Sequence, residues 1–279
     1  MKFAVFTVMM PDCSPEETVR LLQKHGYDGV EWRFTNPDQS RSHEAPSFWG
    51  NNRSTVPADS TEEELRQIAA MTQAHGLEIP NLAAYIREGN LQATEQAMKA
   101  AVLLGSPSVR ISVPGYSRDT HYWDALNAGK GYLKQVEALS KQYGVQGLIE
   151  THHGNIACSA SAARRLVDDF DPQHIGVIYD PGNLVHEGFE AYRMGLEILG
   201  PYLAYVHVKN AAARHIPGAT PPWQVEWRTI DEGEVYWPQV MEALHDIGYD
   251  GWLSMEDFSM ARPTEEALAH HISYLKSLL

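Results

Sequence analysis

Four short apolar runs in this sequence each end at a side chain that can bind a metal ion. The clearest run, Gly-Val-Ile-Tyr at 176–179, stops at Asp180 and is then broken by Pro-Gly. Such runs are typical of buried strands, so we expect this carboxylate at the carboxyl end of a strand. The other three runs end at Glu150, His207 and Glu256. Three carboxylates and one imidazole form a mainly oxygen-donor set, which suits one Mn²⁺, Mg²⁺ or Co²⁺ ion, with Zn²⁺ as an alternative.

Each of these residues also has an ordinary structural interpretation. An acidic residue that ends a strand is often a helix N-cap, and a histidine in such a place can be a hydrogen-bonded core residue. For one residue alone the two interpretations are about equally good. Because all four residues close consecutive units of the chain at the same position, we adopt the interpretation that they share one ligand set.

The elements that must position these residues alternate between strands and helices. Strands are predicted at 2–8 and 29–34, and between them Ser14, Pro15 and Gly26 mark the beginning and end of a helix. The rest of the chain continues this pattern to eight strands and eight helices, which indicates a parallel sheet. The sequence therefore predicts an α/β fold, a single (β/α)8 TIM barrel domain over residues 1–279.

Two connections are longer than a barrel requires, one after the second strand at 35–60 and one after the seventh strand at 211–235. Long connections of this kind commonly form lids or binding loops. Active sites of such barrels lie at the carboxyl ends of the strands. Since strands five to eight are neighbours in the barrel, their terminal residues are expected to converge on one side of the mouth.

The composition limits the classes of partner. The net charge is −14, from 22 Lys and Arg against 36 Asp and Glu, which argues against a nucleic-acid or anionic-membrane surface. The only cysteines are Cys13 and Cys158, and no apolar run approaches membrane-spanning length. We therefore expect a cytoplasmic protein with a small-molecule substrate and neither nucleic acid nor membrane as a partner. A homo-oligomer is left open.

Five motifs carry a resemblance to a known family: 148–150 (Leu-Ile-Glu), 179–183 (Tyr-Asp-Pro-Gly-Asn), 207–210 (His-Val-Lys-Asn), 233–237 (Gly-Glu-Val-Tyr-Trp) and 248–251 (Gly-Tyr-Asp-Gly). Through them the chain resembles, over nearly its whole length, the xylose isomerase-like TIM barrels. This sugar phosphate isomerase/epimerase group also contains tagatose epimerases, inosose dehydratases and endonuclease IV. The resemblance implies a single divalent ion, for which we predict Mn²⁺, held by Glu150, Asp180, His207 and Glu256.

The resemblance also implies an activity, that of a metal-dependent sugar isomerase or epimerase. In the epimerase branch the residues that match Glu150 and Glu256 flank the sugar as acid and base. Proton abstraction would occur next to a carbonyl of a keto sugar or polyol derivative, with the ion stabilising the developing negative charge. The two glutamates would act from opposite faces of the substrate.

Two departures from the family pattern bear on this assignment. Many epimerases have a histidine three residues after the aspartate of strand six, and here that position is Asn183. The endonuclease branch needs further histidine ligands, whereas strands three and four end here near Tyr85 and Arg110. The acidic composition adds to this difference and argues against DNA repair.

Other residues are candidates for binding substrate. His152 and Lys209 lie two residues beyond Glu150 and His207 and share their inward phase; Lys209 could equally form an ion pair. The resemblance suggests a substrate-binding role for Arg214, and strand alternation turns Glu31 and Arg110 inward. The full set of candidates is His152, Asn183, Lys209, Arg214, Glu31 and Arg110. Glu31 and Arg33 could instead form a buried pair.

Aromatic residues in the predicted loops, such as Trp49, Tyr116, Trp223 and Trp227, could stack on a sugar ring or pack a subunit interface. Two other functions stay open. A lyase would use the same first step to eliminate water from an inosose or a glycosyl group from a 3-keto-glycoside. A non-catalytic barrel would serve as a binding subunit, although the intact ligand set argues against it.

Overall fold

The computed structural model describes all of residues 1–279, and eight of its parallel strands close into a barrel. The strands form where β-branched and aromatic residues cluster, and the amphipathic helices between them cover their outer faces. The strands are β1 (Lys2–Phe6), β2 (Gly29–Phe34), β3 (Thr55–Val56), β4 (Leu82–Ala84), β5 (Ser108–Ile111), β6 (Gln146–Glu150), β7 (Ile175–Tyr179), β8 (Leu203–Val208), β9 (Asn210–His215), β10 (Trp223–Arg228) and β11 (Trp252–Met255).

The helices begin and end at recognisable caps. Helix α1 starts at Ser14, which exchanges hydrogen bonds with Glu17, and ends at Gly26 with a left-handed φ of 74°. None of the helices combines the length and the apolar character needed to cross a bilayer. They are α1 (Pro15–His25), α2 (Glu62–Ala74), α3 (Leu91–Leu104), α4 (Tyr122–Tyr143), α5 (Ala160–Val167), α6 (Pro181–Leu184), α7 (Tyr192–Leu199), α8 (Trp237–Asp246) and α9 (Thr264–Lys276).

The barrel strands follow one another around the cylinder in chain order, as β1, β2, β4, β5, β6, β7, β8 and β11. Strand β1 pairs with both β2 and β11, which closes the sheet. This closure confirms the predicted (β/α)8 TIM barrel. Strand β4 has only three residues and begins after Pro80, which has no N–H with which to extend the ladder.

Both long connections lie where they were predicted, but they contain more structure than expected. The connection after β2 contains strand β3, which runs parallel to β2. In the connection after β8, strands β9 and β10 form an antiparallel hairpin in which Ala211 pairs with Trp227. The sequence predicted a long connection here but not this hairpin, because the alanines of β9 give little β-strand signal.

Alternation along the strands separates the barrel interior from the outer core. On β6, Ile149 packs with the helices, whereas Leu148 packs inside the barrel with Ile178 and Tyr205. These three apolar side chains fill the lower part of the cylinder. The next inward residue on β6 is Glu150, so the interior changes from apolar to charged towards the mouth.

The connections after β6 and β7 touch at a glycine that tolerates no side chain. Gly188 has a φ of 81°, and a Cβ there would lie 2.1 Å from the carbonyl oxygen of Cys158. Gly218, in the hairpin turn, has a φ of 82° with no atom within 4 Å of the same position. Alanine carries the same left-handed penalty at both sites, about 1–2 kcal/mol, but only Gly188→Ala adds a backbone clash.

We expect Gly188→Ala to lower the free energy of unfolding by about 2 kcal/mol more than Gly218→Ala does. Urea unfolding of both variants, followed by circular dichroism, measures the difference. Equal losses would show that the contact with Cys158 does not hold the two connections together.

Candidate metal centre

The structure brings the four predicted metal ligands together at the mouth of the barrel. Glu150 ends β6, Asp180 follows β7, His207 lies in β8 and Glu256 follows β11. One ligand atom from each residue lies within 4.8 Å of all the others. Asp180 and His207 are fully buried, while Glu150 and Glu256 keep 7% and 3% of their surface exposed. This buried cluster could hold a metal ion.

Asp180 is both a helix cap and a member of the cluster. Its Oδ1 accepts a hydrogen bond from the N–H of Asn183 and so caps the short helix α6, which begins at Pro181. Its Oδ2 faces the cluster, 4.0 Å from Nδ1 of His207. The two interpretations offered by the sequence are therefore compatible, because each oxygen serves one of them.

His207 is oriented through both ring nitrogens. Nδ1 lies 3.1 Å from Glu150 Oε1 and 3.7 Å from Glu256 Oε2, whereas Nε2 lies 3.1 Å from both oxygens of Glu31. Burial lowers the pKa of His207, but the carboxylates of Glu31 and Glu150 outweigh it and raise the pKa well above its ordinary value. A proton on Nε2, donated to Glu31, leaves Nδ1 free to bind an ion.

Glu31 supports His207 from below, where sequence reasoning had expected a contact with substrate. It is fully buried and does not line the cavity. Its carboxylate accepts hydrogen bonds from Asn81 at 2.8 Å and from Ser254 at 2.6 Å, and Ser108 donates in turn to Asn81 at 2.8 Å. Four strands and Asn81, which directly precedes β4, thus contribute to one polar layer that fixes the imidazole.

Lys209 forms the ion pair that the sequence left open. Its ammonium lies 2.8 Å from Asp180 Oδ2 and contacts Glu256 Oε2. The rings of Trp227 and Phe258 lie 5.1 and 5.3 Å from the same nitrogen. Burial lowers the pKa of Lys209, but Asp180 and Glu256 raise it above its ordinary value, so the ammonium stays charged. Lys209 also lines the cavity, so a contact with substrate stays a prediction.

The charges of this cluster fit a divalent cation. Four carboxylates meet here, Glu31 included, and two cationic side chains pair with them: Lys209, and Arg110, whose Nη1 donates to Glu150 Oε2 at 3.0 Å. An ion that binds Nδ1 of His207 displaces the proton there and leaves the imidazole neutral, and two negative charges of the four carboxylates then stay uncompensated. Glu256 Oε2 makes no hydrogen bond, although the lysine ammonium touches it. One dication would neutralise both charges and bind this oxygen, so the donor set fits such an ion.

The three acidic ligands differ in their environment. Burial raises the pKa of Asp180 to about 6, although Lys209 opposes this shift. Burial also raises the pKa of Glu150, but the positive charges of Arg110 and His207 outweigh it and bring that pKa well below its ordinary value. Glu150 is therefore ionised at neutral pH.

Asn183, a predicted substrate residue, lies within the cluster. Its Nδ2 donates to Asp180 Oδ2 at 2.7 Å and to Glu150 Oε1 at 3.2 Å, and its Oδ1 accepts from Lys209 at 3.2 Å. The residue is fully buried and does not line the cavity. In this structure its amide orients the ligands.

A cavity of about 650 Å³ opens above the cluster. Glu150, Glu256 and Lys209 line its inner end, and the predicted substrate residues His152 and Arg110 line it as well. Its volume lies within the range of about 300–1,000 Å³ that is typical of small-molecule sites. The cavity therefore gives a small molecule access to two of the four ligands.

Arg214, another predicted substrate residue, lies outside this cavity. It is exposed on hairpin strand β9, and its Nε pairs with Glu226 Oε1 at 3.1 Å. The resemblance suggested Arg214 because it follows strand seven at the spacing at which epimerases carry a substrate-binding arginine, so a contact with substrate stays a prediction. Arg33 does not pair with Glu31; it donates to Thr55 Oγ1 at 2.5 Å.

The aromatic candidates divide into two groups. Trp49 and Trp227 line the cavity, and Phe258, which sequence reasoning did not single out, lies with them. Tyr116 and Trp223 lie elsewhere. The position of Phe258 two residues after Glu256, in the same inward phase, was the signal that could have found it.

A stack of imidazoles was not foreseen in the sequence. His153 packs between His152 and His186, with ring centroids 4.3 and 4.0 Å away, and Trp227 packs on His186 at 4.9 Å. Burial and the neighbouring positive charges lower the pKa of both His153 and His186 to about 4, so both rings are neutral at pH 7. The stack forms one side of the mouth, and His152 and His153 line the cavity.

The fold and the buried cluster define a barrel with a candidate metal site, and comparison with known proteins identifies its family. A family model described as xylose isomerase-like TIM barrel matches residues 19–278. The chain therefore belongs to the xylose isomerase-like TIM barrel family.

Known relatives are distant. The inosose dehydratase of Clostridium perfringens is 23% identical over 167 residues, which cover 55% of this chain and 54% of that protein. The chain spans about half the length of the curated relatives it matches.

Two solved structures show the same fold at low identity. The 3-keto-D-glucoside 4-epimerase from E. coli matches with a TM-score of 0.74 at 15% identity, covering 99% of both chains. A xylose isomerase-like TIM barrel protein from Mycobacterium smegmatis, in complex with magnesium, matches with a TM-score of 0.68 at 15% identity, covering 99% of this chain and 96% of that one.

Removal of the support below His207 should weaken metal binding while the fold persists. We expect Glu31→Gln to lower the affinity for Mn²⁺ by about 10- to 100-fold, because the carboxylate that orients the imidazole is lost. Isothermal titration calorimetry measures the affinity. The control is Glu78→Gln, at a surface carboxylate that pairs with Lys2. Equal affinities in the two variants would show that Glu31 does not tune the site.

Proposed function

We propose that this protein is a metal-dependent isomerase or epimerase of keto sugars or keto polyols, which acts by proton transfer next to a carbonyl. The observation that carries the proposal is that only two of the four cluster residues are open to the cavity. Glu150 and Glu256 line the cavity, whereas Asp180 and His207 are sealed beneath them. Two carboxylates thus lie beside the ion site and are also open to a substrate. Membership of the xylose isomerase-like family supports this assignment.

Glu150, Asp180, His207 and Glu256 would hold one divalent ion, for which we propose Mn²⁺. When bound, the ion supplies Lewis-acid chemistry: it polarises the carbonyl and stabilises the negative charge that follows deprotonation. A mixed set of carboxylates and one imidazole is compatible with Mn²⁺ or Mg²⁺, and the Mycobacterium smegmatis neighbour contains magnesium.

The chain's own residues would move the proton. Glu150 ends β6 and Glu256 follows β11, and these strands are separated in the barrel by β7 and β8, so the two carboxylates approach a substrate from different sides. One carboxylate removes the proton and the other returns it on the opposite face, which inverts the carbon. Arg110 holds Glu150 in place and Lys209 lies against Glu256.

A lyase is the second candidate, and the imidazole of His152 on the cavity wall favours it as a proton donor. After the same deprotonation, the electron pair of the C–H bond forms a C=C bond and the β C–O bond breaks. The leaving oxygen takes a proton from an imidazole, so that a hydroxyl departs as water. Inosose dehydratases among the sequence relatives are consistent with this alternative.

Glu150→Gln and Glu256→Gln should each abolish proton exchange, because glutamine cannot accept a proton. We expect the wild type to incorporate solvent deuterium next to the carbonyl of at least one of D-fructose, a methyl 3-keto-D-glucoside and an inosose. Each variant should lower that rate by at least about 100-fold with an unchanged melting temperature. Proton NMR in deuterated water, with Mn²⁺ present, measures the exchange.

Glu63→Gln, on the outer helix α2, is the matched control and should exchange at the wild-type rate. Wild-type exchange in either active-site variant would remove that glutamate from the mechanism. The same spectra separate the two candidate reactions: a deuterated keto sugar indicates the epimerase, and an enone indicates the lyase.

Metal removal separates the enzyme from a non-catalytic barrel. We expect chelation to abolish exchange and to lower the melting temperature, because an ion at 100 times its dissociation constant stabilises the fold by about 2.7 kcal/mol. Mn²⁺ should restore both properties in the wild type but not in Asp180→Asn, which keeps a helix-capping side chain. Exchange that persists in chelator would contradict the metal requirement.

A further inference from the structure

The cavity has an aromatic wall that continues beyond the cluster. The wall consists of Trp227, Phe258 and Trp49, with centroids 5.6 Å apart for the first pair and 4.8 Å apart for the second. The rings of Trp227 and Phe258 lie 5.1 and 5.3 Å from the Lys209 ammonium. Trp49 is 55% exposed, so the wall leads from the charged end of the cavity to solvent.

Trp49 is held in this position by packing. It comes from the long connection after β2, far from Phe258 in sequence, yet both rings contact Phe48, at centroid distances of 5.6 and 5.0 Å. An exposed indole that is fixed at the edge of a cavity presents an apolar face to a ligand. A sugar that reacts at Glu150 and Glu256 would lie at the inner end, which leaves the exposed ring of Trp49 to the part of the substrate nearer the solvent.

We propose that the outer part of the cavity binds a second ring, so that the substrate is a glycoside. This inference rests on the proposed function and defines its substrate class. The keto ring reacts at the cluster, and the ring of the aglycone, joined to it by the glycosidic bond, stacks on Trp49. Arg87 is exposed and lines the same cavity, so its guanidinium can donate hydrogen bonds to hydroxyl groups when the aglycone is itself a sugar.

Three glycosides with one reacting ring test the proposal: the methyl, phenyl and glucosyl 3-keto-β-D-glucosides, assayed by deuterium exchange with Mn²⁺ present. We expect kcat/KM of the wild type to be at least about tenfold higher for the phenyl and glucosyl compounds than for the methyl one, mainly through KM. Trp49→Ala should remove this preference. Trp123→Ala, which changes an equally exposed tryptophan on α4, should retain it.

Arg87→Ala distinguishes the two kinds of aglycone. It should lower kcat/KM for the glucosyl compound several-fold and leave the phenyl compound unchanged if the natural second ring is a sugar. Equal kcat/KM for all three glycosides in the wild type would overturn the second-ring proposal. Exchange on D-fructose or an inosose but on none of the glycosides would overturn it as well, while the proposed function would stand.

A binding experiment tests the outer position without turnover. Calorimetry on the Mn²⁺-loaded protein compares the unreactive phenyl and methyl β-D-glucosides. We expect the phenyl compound to bind at least about tenfold more tightly, and Trp49→Ala to abolish the difference. Equal affinities in the wild type would overturn the proposal. If no compound exchanges deuterium but this difference is found, the proposed reaction fails and the second-ring site remains.

Discussion

Crowded negative charge at the mouth of the barrel is the constraint on which the rest of the structure depends. Carboxylates that are removed from water and placed next to each other repel strongly, and each loses its hydration. Positive charge and hydrogen bonds from the surrounding residues offset this cost. Arg110 and Lys209 pair with the carboxylates, and Asn183 donates to two of them. The remaining charge suits a dication, so an ion bound here would stabilise the folded mouth.

The sequence could predict where the four candidate metal ligands lie, because their positions depend on local sequence pattern. Each apolar run ends at its functional residue, and all parallel strands of a barrel end at the same edge. The depth at which a side chain lies inside the barrel depends instead on how the strands pack together, and the local sequence does not show it. Alternation predicts that Glu31 turns inward, but its carboxylate lies 3.1 Å from Nε2 of His207 and does not line the cavity. A residue expected to touch substrate therefore supports a ligand instead.

The walls of the cavity were less predictable, because they are built by contacts between segments far apart in the chain. The aromatic wall is built by three connections, which contribute Trp49, Trp227 and Phe258. Trp227 joins the other two rings because the hairpin β9–β10 folds over the mouth. The same hairpin pairs Arg214 with Glu226 outside the cavity. The sequence indicates that these loops carry aromatic residues. It does not indicate which of those side chains turn towards the cavity.

Asn183 shows how one substitution can set the kind of site that a common fold forms. Its amide donates to both Asp180 and Glu150 from Nδ2 and accepts from Lys209 at Oδ1. A neutral imidazole has one N–H on the ring, so it could not donate to both carboxylates and also accept from the ammonium in this geometry. A histidine here would also offer a further metal ligand beside the first four. Asn183 and Lys209 thus complete the cluster with hydrogen bonds and a fixed positive charge. Because neither side chain is a further metal ligand, this arrangement favours a single ion over a multinuclear centre.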